Sequence, residues 1–237
     1  MEKIKEQLAK VDWQECGDQL NNRGFALVPG LLDQDQCNAL CALYDQPDLY
    51  RKTVQMERYR FGYGEYKYFD YPLPGMLGEL RETLYPQLAP TANLWMNVLG
   101  IEKRFPNSFA ELQAQCHAAL QNKPTVLILK YAKGGFNTLH QDLYGELFFP
   151  MQALLFLNEP GEEYTGGEFV LTEQVPRAQS RAIVLSPRKG DLLIFTTNFR
   201  PVKGSKGYYR VNMKHGVSEV TSGKRHTLGI IFHDALS

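Results

Sequence analysis

The sequence predicts an α+β fold: a double-stranded β-helix, or jelly roll, buttressed by helices from the N-terminal half. Three observations predict it. From residue 125 onward, short apolar or alternating runs recur between turn signals, the pattern of a sandwich or barrel. Before residue 123, apolar residues mostly repeat at spacings of three and four, the period of helices. The strand-rich half also carries two His and an Asp on separate runs, which suits a jelly roll, where side chains from distant strands meet in one mouth.

Residues 2–20 read as one helix, with Ile4, Leu8 and Val11 on a stripe and Asn21-Asn22-Arg23-Gly24 as the stop. Phe25-Ala26-Leu27-Val28 reads as a short strand. Asp33 with Gln36 three residues on makes a capping box, and the helix behind it carries Cys37, Leu40, Cys41 and Tyr44. Residues 50–71 are aromatic and basic together, interrupted by Gly62 and Gly64, and read as a loop or irregular hairpin. Such a segment either packs its rings on the barrel with its charges in water or faces the substrate as a lid.

Residues 75–122 read as helices in pieces: a Met76-Leu77-Leu80-Leu84 stripe broken near Pro86, a Leu94-Trp95-Val98-Leu99 stripe, and a third helix opened by Ser108 and Glu111. His117 lies off the third stripe and reads as a solvated surface side chain. Strands are predicted near 125–131, 151–158, 167–172, 180–186, 191–197, 208–214 and 225–232. The expected organisation is one domain over 1–237, with 1–123 as an N-terminal extension and 124–235 as the catalytic core.

The 237 residues include 26 basic and 26 acidic side chains, so no overall positive charge points to nucleic acid, and any such contact must be local. Cys16, Cys37, Cys41 and Cys116 form no C-x-x-C pair, which leaves core packing of reduced thiols as their reading. The start of the chain shows no apolar signal core and no 18-residue apolar run occurs, so the expectation is a soluble, cytoplasmic protein.

The chemistry concentrates in Tyr131-Ala132-Lys133-Gly134-Gly135-Phe136-Asn137-Thr138-Leu139-His140-Gln141-Asp142. His140 and Asp142 are two apart, so on an extended segment both face one way and can grip one ion. His215 follows 75 residues after His140, and Arg225 ten residues after that. Two His and one carboxylate with open positions is the ligand set of non-haem Fe(II) oxygenases. His226 and His233 compete with His215 as third ligand; His226 faces away from its neighbour Arg225 on a strand, and His233 lies beyond the strand. Arg225 shares a strand face with small Thr227 and Gly229, which leave room for a carboxylate ligand beside its guanidinium fork.

His140-x-Asp142…His215 with Arg225 at plus ten resembles the Fe(II)/2-oxoglutarate-dependent dioxygenase superfamily. Leu129-Lys130-Tyr131…Gly134…His140-x-Asp142 is similar to the metal strand of prolyl hydroxylases. Gly166-Gly167-Glu168-Phe169 and Gly190-Asp191-Leu192-Leu193 resemble turns and strands of the same family. The resemblance implies iron held by His140, Asp142 and His215, and 2-oxoglutarate and O2 as co-substrates. It further implies that Arg225 binds the distal carboxylate of 2-oxoglutarate, with Tyr131 as a second donor to it. Thr138 and Asn212 are weaker supporting positions.

Arg at plus ten departs from the prolyl hydroxylase pattern and is closer to alkylated-base repair oxygenases, and the chain's layout resembles a prokaryotic family proposed to oxidise damaged nucleic acid. The repair enzymes' Arg-x-Asn-x-Thr-x-Arg signature is absent after His215. Damaged nucleic acid or a modified base is therefore one substrate class, and a protein side chain or small molecule the other. A different reading is a cupin-like metal- or sugar-binding jelly roll without oxygenase activity, in which Glu146 is a ligand and Arg225 is idle.

Overall fold

The computed structural model describes residues 2–236; Met1 and Ser237, the ends of the expected single-domain span, lie outside the described residues. In chain order the elements are α1 (Glu2–Ala9), α2 (Trp13–Arg23), β1 (Phe25–Val28), α3 (Gln34–Leu43), β2 (Tyr50–Gln55), β3 (Gly62–Tyr63), β4 (Glu65–Phe69), α4 (Gly75–Val98) and α5 (Phe109–Ala118). They continue as β5 (Leu127–Ala132), β6 (Phe136–His140), β7 (Met151–Phe156), β8 (Tyr164–Gly166), β9 (Phe169–Gln174), β10 (Arg181–Leu185), β11 (Leu192–Thr196), β12 (Phe199–Gly204), β13 (Gly207–Val217) and β14 (Val220–Ile231).

The strands form two antiparallel sheets. The major sheet runs β1-β11-β7-β14-β5-β4-β2, with β8 on β14; the minor runs β10-β9-β13-β6-β3, with β12 on β13. Phe156, Leu154, Leu193 and Phe195 from the major sheet meet Phe169, Leu171 and Met213 from the minor, so the sheets pack face to face as a jelly roll. The other face of the major sheet carries Leu228, Ile230 and Phe232, which bury against Leu77, Leu84, Leu88 and Trp95 of α4. One strand, β14, thus alternates between an interior face and a helix-covered face, as its sequence predicts.

Several expectations need correction. The helix read over 2–20 is two, because Asp12 accepts from Glu15 N (3.0 Å) and caps a second one. The stripe misleads because Ile4, Leu8, Cys16 and Leu20 all enter one core. The break expected near Pro86 does not occur: α4 runs through both Pro86 and Pro90. Each proline removes one helical hydrogen bond, but Glu82, Pro86 and Pro90 are all exposed, so the freed carbonyls of Glu82 and Pro86 face water. Residues 50–71 are mostly strand. β4 pairs with both β2 and β5, widening the major sheet, and β3 pairs with β6. β6 and β12 went unpredicted, since β6 buries too little to show an apolar alternation and β12 is cut by Pro201.

His117 is not simply solvated: its Nε2 lies 3.0 Å from Asp234 Oδ2. Asp234 also receives Arg81 Nη2 at 2.6 Å and the Tyr71 hydroxyl at 2.9 Å, and Arg81 and Asp234 are both buried. Arg81 donates further to the carbonyls of Ile231 (3.1 Å) and Phe232 (2.9 Å), tying α4 to the end of β14. Removing one partner of a buried pair strands the other charge. Asp234→Ala is expected to cost about 3–5 kcal/mol of stability, read as a lower urea midpoint at unchanged slope. An unchanged midpoint would show that this clamp does not hold the helix layer.

Candidate metal centre

β6 and β13 are antiparallel neighbours, and their register sets His140 directly opposite His215. Residues so paired project to the same face of a sheet. The two imidazoles therefore meet inside the roll, with centroids 4.2 Å apart, although 75 residues separate them in sequence. Asp142 follows where the chain leaves β6. Its Oδ1 lies 3.5 Å from His140 Nε2 and its Oδ2 3.2 Å from His215 Nε2. One ligand atom from each of the three lies within 4.8 Å of the others.

The ring nitrogens are assigned by their partners. His140 Nδ1 lies 2.8 Å from the Thr138 carbonyl, an acceptor, so it carries the proton and leaves the Nε2 lone pair free. His215 stacks on Phe169 (5.9 Å, 21°) and meets the edge of Phe195 (4.9 Å), which fixes its ring plane. Burial would raise the Asp142 carboxyl, but the imidazoles of His215 and His140 outweigh it and hold the group well below the usual carboxylate range. Burial disfavours the His140 imidazolium too, yet Asp142 overcomes it and raises that pKa. Burial and the neighbouring His140 lower the pKa of His215. The result is an ionised carboxylate between two imidazoles that both turn Nε2 towards it, a donor set suited to Fe(II).

Sequence reasoning missed Tyr144. Its hydroxyl donates to Asp142 Oδ1 (2.9 Å) and itself lies 3.0 Å from the Tyr68 hydroxyl. Burial and the charge of Asp142 keep Tyr144 protonated, hence a donor. The i+2 spacing after Asp142 was the available signal, since such neighbours share a side on extended chain.

A cavity of about 230 Å³ opens beside the three ligand residues, walled by Tyr131, Asn137, Thr227 and Gly229 and rimmed by Phe61 and Leu143. Arg225 pairs with Tyr131 across β14 and β5. It is 1% exposed, and Nη1 reaches Thr227 Oγ1, on the cavity wall, at 3.4 Å. Its Nε and Nη2 have no partner among the described residues. Gly167 lets the chain pass, since a Cβ there would sit 3.0 Å from Arg225 Cδ. The Tyr131 hydroxyl accepts from Asn137 (3.2 Å), so its own proton remains free to donate.

The other candidates lie elsewhere. His226 bonds Asn158, and His233 Nδ1 accepts from Phe149 N at 3.1 Å. Glu146 is exposed and outside the cluster, so the cupin-like ligand set is not assembled. Asn212 is exposed on the far face of β13 and supports nothing at the site, while Thr138 contributes its carbonyl to His140. The four cysteines are free, and three of them are buried.

A family model described as an oxygenase catalysing oxidative methylation of damaged DNA matches residues 64–235. An uncharacterized protein of Mycobacterium tuberculosis, matched alike in two strains, is 47% identical over 167 residues, covering 70% of this chain and 72% of its own. Among solved structures, a Pseudomonas putida prolyl-4-hydroxylase aligns with TM-score 0.57 at 17% identity, over 94% of this chain and all of that one. A Trichoplax adhaerens prolyl hydroxylase gives 0.54 at 15% (98% and 92%), and a Burkholderia pseudomallei oxidoreductase of the 2OG-Fe(II) oxygenase family 0.51 at 15% (95% and 93%). At these identities the structural likenesses speak for the fold.

Metal titration by calorimetry tests the cluster. Asp142→Ala is expected to abolish tight divalent binding and Glu146→Ala to leave it unchanged; the reverse result would restore the cupin-like ligand set. Tyr144→Phe should weaken binding roughly 10–100-fold, as for other partners behind a metal ligand. Metal needs neutral imidazole, and His140 takes up its proton at higher pH than a free side chain. Affinity should therefore fall as pH drops from 8 towards 6.

Proposed function

Because the chain belongs to the oxygenase family described as catalysing oxidative methylation of damaged DNA, we propose that it is an Fe(II)- and 2-oxoglutarate-dependent dioxygenase that oxidises alkylated bases in nucleic acid. The observation that carries this reading is Arg225: a buried guanidinium with two donor atoms unpartnered, next to the wall of a cavity that holds a His-Asp-His cluster. A buried cation without a counter-charge is costly. A ligand carboxylate would supply that charge and accept in the bidentate mode that Arg favours.

In this reading His140, Asp142 and His215 hold the metal and leave its remaining positions open to the cavity. Arg225 binds the far carboxylate of the keto acid, with Tyr131 and Thr227 as further hydroxyl donors. Iron with 2-oxoglutarate and O2 supplies the oxidation: one oxygen atom goes into succinate as carbon dioxide leaves, the other into a C–H bond of the prime substrate. The chain's part is positioning and exclusion of water, for which Leu129, Leu154, Phe169 and Phe195 line the cavity.

The family's description supports a nucleic-acid substrate, and so does the rim. Tyr59 and Phe61 stack at 5.5 Å and 18°, and both are exposed, at 55% and 45%. Arg58 and Arg60 flank them, also exposed. Exposed paired rings beside free guanidinium groups suit an unstacked base next to phosphates. They belong to the aromatic-basic stretch for which the sequence leaves open a packed hairpin or a substrate-facing lid.

An anaerobic titration with Fe(II) and 2-oxoglutarate tests the reading. The expected outcome is a visible charge-transfer band in the wild type, absent in Asp142→Ala. Arg225→Ala should need about 100-fold more keto acid, the loss of two charge-assisted hydrogen bonds. Succinate release should then be stimulated by N-methylated oligonucleotides, with formaldehyde as co-product, and not by proline-rich peptides. Metal binding without a band would refute the oxygenase reading, and stimulation by peptides alone would move it to protein hydroxylation.

A further inference from the structure

We propose that the β12–β13 hairpin is an arm that binds the backbone of single-stranded nucleic acid on the outer face of the strand that carries His215; this rests on the nucleic-acid reading above. Charge is the first argument. Residues 199–218 contain Arg200, Lys203, Lys206, Arg210 and Lys214 and no Asp or Glu, in a chain whose 26 basic and 26 acidic side chains balance to zero overall. Arg200 is engaged by Glu173 at 3.3 Å. The other four make no ion pair among the described residues.

Register is the second argument. Lys203 lies opposite Tyr208, Pro201 opposite Arg210, and Phe199 opposite Asn212. Paired residues share a face, so Lys203, Tyr208, Arg210 and, two further steps along β13, Lys214 stand on one side. Val211, Met213 and His215 occupy the other side and are buried. Alternate residues of a strand are roughly 6.7 Å apart, so the exposed side is a rail of cations on a rigid strand. Arg210 is further held over the Phe199 ring at 4.7 Å.

The aromatic rings narrow the partner. Tyr208 is 47% and Tyr209 37% exposed, at neighbouring positions on opposite faces. Interleaved cations and exposed rings favour a polyanion with stackable, unpaired bases over an acidic protein. Lysines also protect edge strands from pairing with other sheets. That role accounts for Lys203 on β12 and for Arg210, where β13 pairs with β12 alone, but not for Lys214 or for the two tyrosines.

Position is the last argument. β13 carries His215 one residue past Lys214. At the root of the arm, Gln141 Nε2 donates to the carbonyls of Asn198 and Met213, 2.8 Å each. The residue between the two candidate ligands His140 and Asp142 is thus bonded to both strands' root segments. The rail stands on the outer face of β13, opposite the buried face that carries His215, so nucleic acid held on it lies across this one strand from the cluster.

Fluorescence anisotropy tests the arm, using protein loaded anaerobically with Fe(II) and 2-oxoglutarate and a labelled, unmethylated single strand of about 15 nucleotides, near the upper site size for such surfaces. The expected result is that Arg210→Ala/Lys214→Ala and Lys203→Ala/Lys206→Ala each weaken binding at least tenfold. Each should also reduce the slope of log affinity against log salt by about 1.4, two contacts at ~0.7 each. Tyr208→Ala should weaken binding with the slope unchanged, and a duplex of the same sequence should bind less tightly. Affinities and slopes that do not change in the variants would overturn the proposal, as would equal competition by poly-glutamate. The charge-transfer band of each variant, measured in parallel, reports the folded metal site. Lost binding with an intact band supports the arm. A wild type that lacks the band fails the oxygenase reading, whatever the arm binds.

Discussion

The pairing of β6 with β13 is the constraint on which the rest of the molecule depends. It sets His140 opposite His215, and no stretch of local sequence could do that across 75 residues. Everything nearby serves this register. Phe61 takes two hydrogen bonds from Thr138, through the backbone N–H and Oγ1, both at 2.8 Å, so β3 closes the open side of β6. Gly62 permits this approach, since a Cβ there would lie 2.2 Å from the Phe136 carbonyl oxygen. On the other flank β9 pairs with β13 and delivers Phe169 onto the His215 ring. A one-residue slip of β6 would turn His140 out of the roll and dissolve the cluster.

Around that register the protein buries charge that it does not fully neutralise. Arg81 and Asp234 neutralise one another under the helix layer, and the clamp is structural. Arg225 is as deeply buried but meets no carboxylate in an ion pair among the described residues: it has the Thr227 hydroxyl at 3.4 Å, the Tyr164 hydroxyl and two aromatic faces, Tyr131 and Phe156, near 5.5 Å. Burial lowers its pKa by more than the neighbouring Tyr164, Tyr131 and Glu168 raise it. The contrast separates the two arginines: Arg81 is neutralised by a carboxylate within the fold, and Arg225 keeps two donor atoms unpaired among the described residues, which is what the proposed keto-acid role draws on.

Much of this was legible in the sequence. The short apolar runs of β5, β7 and β11 between turn signals marked the sandwich, and Thr227 and Gly229 marked the inward face of β14. His140, Asp142, His215 and Arg225 were visible as a spaced set, and the structure brings them to one cavity wall or just behind it. What could not be read were features that local pattern does not encode. Pro86 looked like a break, because the sequence does not show that the freed carbonyls face water. The junction of α1 and α2 was hidden because both helices pack into one core. β6 was missed because a strand that lines a cavity and a solvent face has no apolar period. Tyr144 was passed over because its role exists only once Asp142 is buried between two imidazoles.

Tyr144 also explains why the aromatic stretch at 50–71 belongs to the wall rather than to a separate lid. Tyr68, on β4, bonds Tyr144, which bonds Asp142. β4 pairs with β5, and β5 carries Tyr131 opposite Arg225. The hairpin therefore reaches the Asp142 carboxylate through two hydroxyls and the Tyr131–Arg225 pair through one strand. Its buried end is fixed by these contacts, whereas its exposed end presents Tyr59 and Phe61 at the rim. One segment thus joins the exposed ring pair at the rim to the buried carboxylate: Tyr68 reaches Asp142 only through Tyr144, and sheet pairing holds Tyr59 apart from that chain of hydroxyls.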